Sequence, residues 1–147
     1  MKFREAHIKD VDSIMDVRLS VLENQLSDPS SITADDCKEF LHTRGHAWVC
    51  EVESSIVGFA MIDMTNHNVW ALFVRPEYER MGIGLTLHNM MINWYFDNHT
   101  EQLWLSTSPE TRAYNFYRRL GWKNVGKYGE VEIKLEMAHQ DWERKRL

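Results

Sequence analysis

The stretch VRPEYERMGIG, from Val74 to Gly84, separates two segments of different periodicity. Before it, NVWALFV (Asn68 to Val74) is a short apolar run of the kind that forms a buried strand. After it, Leu87, Met90, Met91 and Trp94 recur at helical spacing. The stretch is therefore a strand-to-helix turn, with Pro76 as a breaker and a helix starting near Gly84. The first N–H groups of a helix are unpaired and sit at the positive end of its dipole, which suits an anion, phosphate above all. Gly82 and Gly84 lack a Cβ, so a pyrophosphate can approach the main chain closely. The dinucleotide fingerprint GxGxxG is broken by Leu87, and no GxxxxGK[ST] is present. Rossmann and nucleotide-triphosphatase readings thus fail on their own motifs.

Working outward, Lys2 to Ala6 reads as a first strand. Asp10 is the expected N-cap of a first helix carrying Val11, Ile14, Met15 and Leu22 and ending near Asn24. Leu26 to Ser31 is a turn broken by Pro29. Thr33, with Asp36 three residues on, caps a second helix that buries Phe40 and Leu41. Ala47 to Val52 and Ile56 to Asp63 are two β runs close enough to form an antiparallel hairpin. Leu103 to Ser106 is another strand. Ser108-Pro109 is expected to open a helix that carries Ala113, Phe116, Tyr117 and Leu120 and ends at Gly121. Val131 to Met137 alternates as a last strand, with Val131, Ile133, Leu135 and Met137 on one face. The expected class is α/β (α+β in some schemes), a mixed sheet with helices on both faces. Residues 1–138 make one domain, and 139–147 a charged tail that frays.

The composition is that of an ordinary globular chain of 147 residues with a formal net charge of −5. Nucleic-acid and anionic-membrane partners are not expected, because phosphate needs a basic surface. Two cysteines, Cys37 and Cys50, are too few for a disulfide framework and have no zinc spacing. The seven histidines show no metal spacing either. His42 and His46 are four apart, but Gly45 between them argues against a regular helix, and both are expected at the surface. The start of the chain has no apolar leader, and a cytoplasmic location is expected.

The turn VRPEYERMGIG resembles the acetyl-CoA-binding motif of the GNAT superfamily of N-acetyltransferases, V-x-P-x-x-[QR]-x-x-G-x-[GA]. SPETRAYNFYRRLGW (Ser108 to Trp122) is similar to that superfamily's later motif: an alanine, then F-Y, then three residues, a glycine and an aromatic. The two come in the right order, separated by one helix and one strand. The resemblance implies acetyl-CoA as cosubstrate, no metal, and a GNAT acyl-CoA N-acyltransferase fold. It implies that the backbone of Leu72, Phe73 and Val74 pairs with the pantetheine arm. It implies that the amides of Arg80, Met81, Gly82, Ile83, Gly84 and Leu85 wrap the pyrophosphate. Tyr117 takes the place of the tyrosine that protonates the departing thiolate, a role suited to a phenol that keeps its proton at neutral pH. Tyr114 is next in line for that role. A homodimer is a family habit.

Two departures stand out. Glu79 occupies the [QR] position, which leaves Arg80 to bring positive charge, and Glu110 stands where many members carry asparagine. Acetyl transfer to an ammonium also needs a proton acceptor. Asn68 holds the position where many members have a glutamate, so Glu23, Asp63 and, more weakly, Glu51 are the candidate bases. Arg18 falls on the apolar face of the first helix, placed to snorkel out of the core or to bind a substrate carboxylate. Trp70 and Trp48 are candidate walls of the acceptor pocket. The substrate set is thus Arg18, Glu23 and Trp70. The expected reaction is acetyl transfer to a primary amine of a small molecule or peptide. Protein lysine or N-terminal acetylation and a non-catalytic acyl-CoA sensor are the rivals.

Overall fold

The computed structural model of the chain describes residues 1–22 and 32–146. Among them, one seven-stranded sheet has the order β1-β2-β3-β4-β5-β7-β6. Its strands are β1 (Lys2–Glu5), β2 (Gly45–Val52), β3 (Ser55–Asp63), β4 (Asn68–Val74), β5 (Leu103–Thr107), β6 (Lys123–Tyr128) and β7 (Glu132–Met137). The helices are α1 (Val11–Ser20), α2 (Ala34–Thr43), α3 (Ile83–Asn98), α4 (Arg112–Arg119) and α5 (His139–Arg146). β4 and β5 run parallel, and the other neighbours are antiparallel.

Helices cover both faces because each presents one apolar stripe. Val11, Ile14 and Val17 of α1 and Cys37 and Phe40 of α2 pack on Val49, Phe59 and Met61. The opposite face takes Leu87, Met91, Ile92 and Tyr95 of α3, with Tyr117, Trp122 and Trp142. The β2–β3 hairpin turns over Glu53 and Ser54, both at positive φ (52° and 69°), the geometry that follows strand twist. Thr33 caps α2 as expected: its hydroxyl accepts from Asp36 N at 3.1 Å, and Asp36 Oδ2 accepts from Thr33 N at 2.9 Å.

The local structure departs from the sequence reading in several places. Asp10 holds the N-cap position of α1, but its side chain makes no capping bond to the helix. Its carboxylate accepts from His7 N and from Arg4, both at 2.8 Å, which ties β1 to the helix entry. α4 starts at Arg112 and not at Pro109, because Glu110 sits at φ 63°, left-handed backbone that no α-helix can include. Thr111 is the cap, its hydroxyl accepting from Tyr114 N at 3.1 Å. Val131 is 74% exposed and precedes β7.

The described part of the charged tail is not frayed but forms α5. Trp142 of α5 donates to Asn93 Oδ1 at 2.8 Å and stacks on Phe96, and Lys145 donates to Leu120 O at the end of α4. Burying one such ring stabilises by roughly 2 to 3 kcal/mol. β6 was not foreseen. All six of its residues are exposed, so KNVGKY has no apolar alternation to read; it is a polar edge strand held by its ladder to β7. The turn Leu26 to Ser31 with Pro29, the expected end of the first helix near Asn24, and Glu23 lie outside the described residues.

Candidate active site

The site begins with a parting of two strands. β4 follows β3 as far as Gly58↔Val74, but the register moves from Met61↔Ala71 to Ile62↔Val69. Trp70 is therefore an extra residue, a bulge that bends β4. On its other side β4 pairs with β5 at Asn68↔Trp104 alone. Beyond that pair the strands separate, and residues 71–74 present an edge with no strand partner among the described residues. Two cavities open along the gap, and they share Leu72, Phe73, Ala113 and Tyr117.

The first cavity, about 370 Å³, lies against the strand-to-helix turn. Val74, Arg80, Gly82, Ile83, Gly84 and Leu85 line it, with Arg112, Phe116 and Arg119 facing them from the α4 side. Arg80 at φ 63° and Gly82 at φ 81° give the turn two left-handed residues just before α3. A Cβ built on Gly82 would meet nothing within 4 Å, and one on Gly84 would meet only Val74 Cγ2, at 3.9 Å. Both glycines thus leave open space in front of the helix start, where a phosphate fits and three arginines would attend it. The Ile83 side chain is buried in the core beneath Gly58, so that residue can offer only its amide. The Met81 side chain projects outward and does not line the cavity. Glu79, the odd carboxylate of the motif, accepts from Arg112 Nη1 at 2.6 Å. Its charge is answered from α4.

Tyr117 occupies the junction of the cavities and is 6% exposed. Trp122, Phe116 and His88 surround its ring with centroids 5.3 to 6.1 Å away. Burial pushes its phenol above the ordinary range, so it holds its proton throughout neutral pH. Tyr114 turns elsewhere: its hydroxyl accepts from Asn124 Nδ2 at 3.0 Å, and it lines neither cavity.

The second cavity, about 440 Å³, lies on the α1 side of the sheet. Ile14, Met15, Phe59, Met61 and Trp70 make it apolar, and Trp70 is fixed by stacking on Phe40 at 4.0 Å. Arg18 enters it with its guanidinium 4.2 Å over the Phe73 ring, and its Nη1 is buried without a hydrogen-bond partner among the described residues. From β5 and the residue after it come Ser106, Thr107 and Ser108, and from β7 Glu132. Glu132 Oε1 accepts from Ser106 Oγ at 3.0 Å.

The candidate bases read from the sequence do not gather here. Asp63 is buried and spends its oxygens on the β3–β4 turn, accepting from Thr65 N, Asn66 N and Asn66 Nδ2. Glu51 pairs with Arg4 at 2.6 Å. Asn68 lines neither cavity, and its buried Oδ1 has no partner among the described residues. Trp48 is a core residue in contact with Trp94. His46 is not a loose surface group; it stacks on Trp94 at 4.3 Å and meets Glu5 Oε1 at 2.9 Å. Sequence reading missed Glu132. The alternation of β7 puts it on the face opposite Leu135 and Met137, but no motif says that β5 and the cavity lie beside that face. Among the described residues, no group of His, Cys, Asp or Glu could hold a metal ion, and no helix is long and apolar enough to cross a membrane.

The fold recurs in known proteins. PaiA N-acetyltransferase from Thermoplasma acidophilum, solved with coenzyme A, superposes with a TM-score of 0.80 at 15% identity over 93% of this chain and 98% of that one. The ribosomal-protein-S18-alanine N-acetyltransferase from Escherichia coli superposes with a TM-score of 0.74 at 15% identity, over 93% and 91%. An aminoglycoside 6'-acetyltransferase type Ii gives 0.74 at 19% identity, over 95% and 97%. No curated protein matches by sequence. At such identities the superpositions speak for the fold alone. The family model of the Acetyltransferase (GNAT) family matches residues 11–122, which take in both motifs, the bulged β4 and Tyr117, and the chain belongs to that family.

Proposed function

We propose that this chain transfers the acetyl group of acetyl-CoA to a primary amine of a small molecule or peptide. The observation that carries the reading is Tyr117, a buried, protonated phenol at the one place where the two cavities of the parted strands meet. The backbone edge of Leu72, Phe73 and Val74 serves the pantetheine arm. The amides of Arg80, Met81, Gly82, Ile83, Gly84 and Leu85 serve the pyrophosphate, with Arg112 and Arg119 adding charge opposite. Tyr117 then gives its proton to the thiolate as the thioester is cleaved. The phenol argues against a non-catalytic sensor, which has no use for a general acid at this junction.

The reading is tested by thermal unfolding with and without acetyl-CoA, followed by free-thiol release with a panel of amines. A ligand that binds only the folded state at 100 times its dissociation constant stabilises by about 2.7 kcal/mol. An upward shift in Tm together with amine-dependent thiol release is expected. An unchanged Tm at saturating acetyl-CoA sinks the reading.

A further inference from the structure

The acceptor cavity has an apolar wall and a hydroxyl-bearing one, and two charged side chains reach it from distant parts of the chain, Arg18 on α1 and Glu132 on β7. A guanidinium over an aromatic ring with one nitrogen buried and unpartnered is costly unless an anion completes it. Among the described residues no carboxylate reaches it. Glu132 is the one carboxylate among the described residues that line the cavity, and it is half-buried. Ser106 orients one of its oxygens, and no basic side chain among the described residues pairs with it. The nearest lysine on its strand, Lys134, lies 4.9 Å from the Trp104 ring and 3.7 Å from Glu136. Among the described residues, the cavity thus brings together a cation and an anion that no side chain of opposite charge pairs with, and Tyr117 lines the same space.

We propose that the acceptor is a free amino acid with an apolar side chain, its carboxylate on Arg18 and its ammonium on Glu132, which takes the proton. The proposal rests on the acetyltransferase reading of the same site. The ammonium gives one proton to Glu132, which passes it to solvent. The freed lone pair forms the C–N bond to the thioester carbonyl, and the nitrogen sheds a second proton to solvent. The C–S bond breaks with its electrons on sulfur, which takes the Tyr117 proton; solvent restores the phenol. One proton is released per turnover. A residue inside a peptide has an amide in place of the α-carboxylate and leaves Arg18 unanswered, so a protein terminus or lysine side chain fits this cavity less well. Ile14, Met15, Phe59 and Met61 supply the apolar wall for the side chain.

The test uses the whole chain with acetyl-CoA and compares leucine, methionine and phenylalanine with 3-methylbutylamine, 3-(methylthio)propylamine and phenethylamine, their counterparts without the carboxylate, and with the tripeptide Ala-Ala-Ala. The amino acids are expected to have a kcat/KM about 100-fold above the matching amines, the usual loss when one partner of a buried ion pair is removed. Arg18→Gln should erase that ratio by raising KM for the amino acids alone. Glu132→Gln should lower kcat for amino acids and amines alike by about 10² to 10⁴ while acetyl-CoA binding, read by titration calorimetry, is kept. Equal kcat/KM with and without the carboxylate in the wild type overturns the amino-acid assignment and leaves the acetyltransferase reading intact. Acetyl-CoA binding with none of these compounds acetylated overturns it equally. Failure to bind acetyl-CoA overturns both.

Discussion

The two halves of the cleft are built from different material. The half proposed for the cofactor rests on backbone: one turn, two glycines, a helix start and the free edge of β4, all within residues 71–85. The half proposed for the acceptor is made of side chains, assembled from α1, α2, β3, β4, β5, α4 and β7, with its charged members more than a hundred residues apart in the chain. A site made of main chain constrains which positions must lack a side chain, and so it writes a compact pattern into the sequence. A site made of side chains constrains only what faces the hole once the chain has folded. It leaves no local pattern.

That contrast is broken or sharpened first by Gly84→Glu. Gly84 lies inside α3 at ordinary helical backbone, and a Cβ there meets only Val74 Cγ2, at 3.9 Å. Gly82 is a poorer test, because its φ of 81° strains any side chain whatever the ligand does. A carboxylate at position 84 intrudes by bulk and by charge on the phosphate space, so acetyl-CoA binding should vanish in calorimetry while the unliganded Tm stays close to wild type. Retained affinity would mean that the turn is a helix start and nothing more.

The second effect is chemical. Tyr117→Phe removes one hydroxyl and keeps the buried ring among Phe116, Trp122 and His88. It should cut kcat and kcat/KM together by about 10² to 10⁴ with acetyl-CoA affinity unchanged. Steady-state kinetics beside a binding titration reads this directly. An undiminished kcat would make Tyr117 a core residue, and Tyr114, turned toward Asn124, is not placed to replace it.

What was legible follows the same division. The hairpin, the strand NVWALFV, the turn and the helix after it appear where the periodicity puts them, because each buries its own apolar face. Tyr117 was singled out by the resemblance of its helix to a family motif, and the structure puts it at the junction of the two cavities. Arg18 was singled out as a charge on an apolar stripe and Trp70, with Trp48, as a large ring that could wall a pocket; Arg18 and Trp70 line the second cavity, and Trp48 does not. Glu132 was not found, because its meaning comes from Ser106 on a neighbouring strand. Asp63, a plausible base by position, went to a turn, since aspartate at the end of a strand has backbone N–H groups within reach. The helix α5 was hidden by composition: one tryptophan in a charged tail decides its docking.

The smallest effect separates, by acid, the α3–α4 side of the sheet from the β1–α1 entry. His88 lies beneath the cofactor half, 3% exposed, and its Nε2 accepts from the Trp122 indole N–H at 3.0 Å. An indole can only donate, so that ring nitrogen must be unprotonated, and the proton sits on Nδ1, directed at Asn89 Oδ1 at 2.9 Å. Burial, with Lys145 nearby, lowers the histidine from 6.5 to about 4 against the opposing pull of the Asn89 bond. The sign follows: the unfolded chain binds this proton below pH 6.5 and the folded chain does not until about pH 4, so stability falls across that window. At about 1.4 kcal/mol per pH unit the loss approaches roughly 3 kcal/mol at pH 4. At the β1–α1 entry, which lines neither cavity, the buried carboxylate of Asp10 is held below its ordinary value by the Arg4 hydrogen bond, so that pairing keeps its strength until the pH drops below 3.8. Between pH 6.5 and 4, amide exchange should therefore accelerate in α3 and α4 before it does in α1 and β1. His88→Gln keeps a neutral acceptor for Trp122 and removes the titration, and it should flatten the fall of Tm over the same range. A variant whose Tm falls as steeply as that of the wild type would place the acid sensitivity elsewhere in the fold.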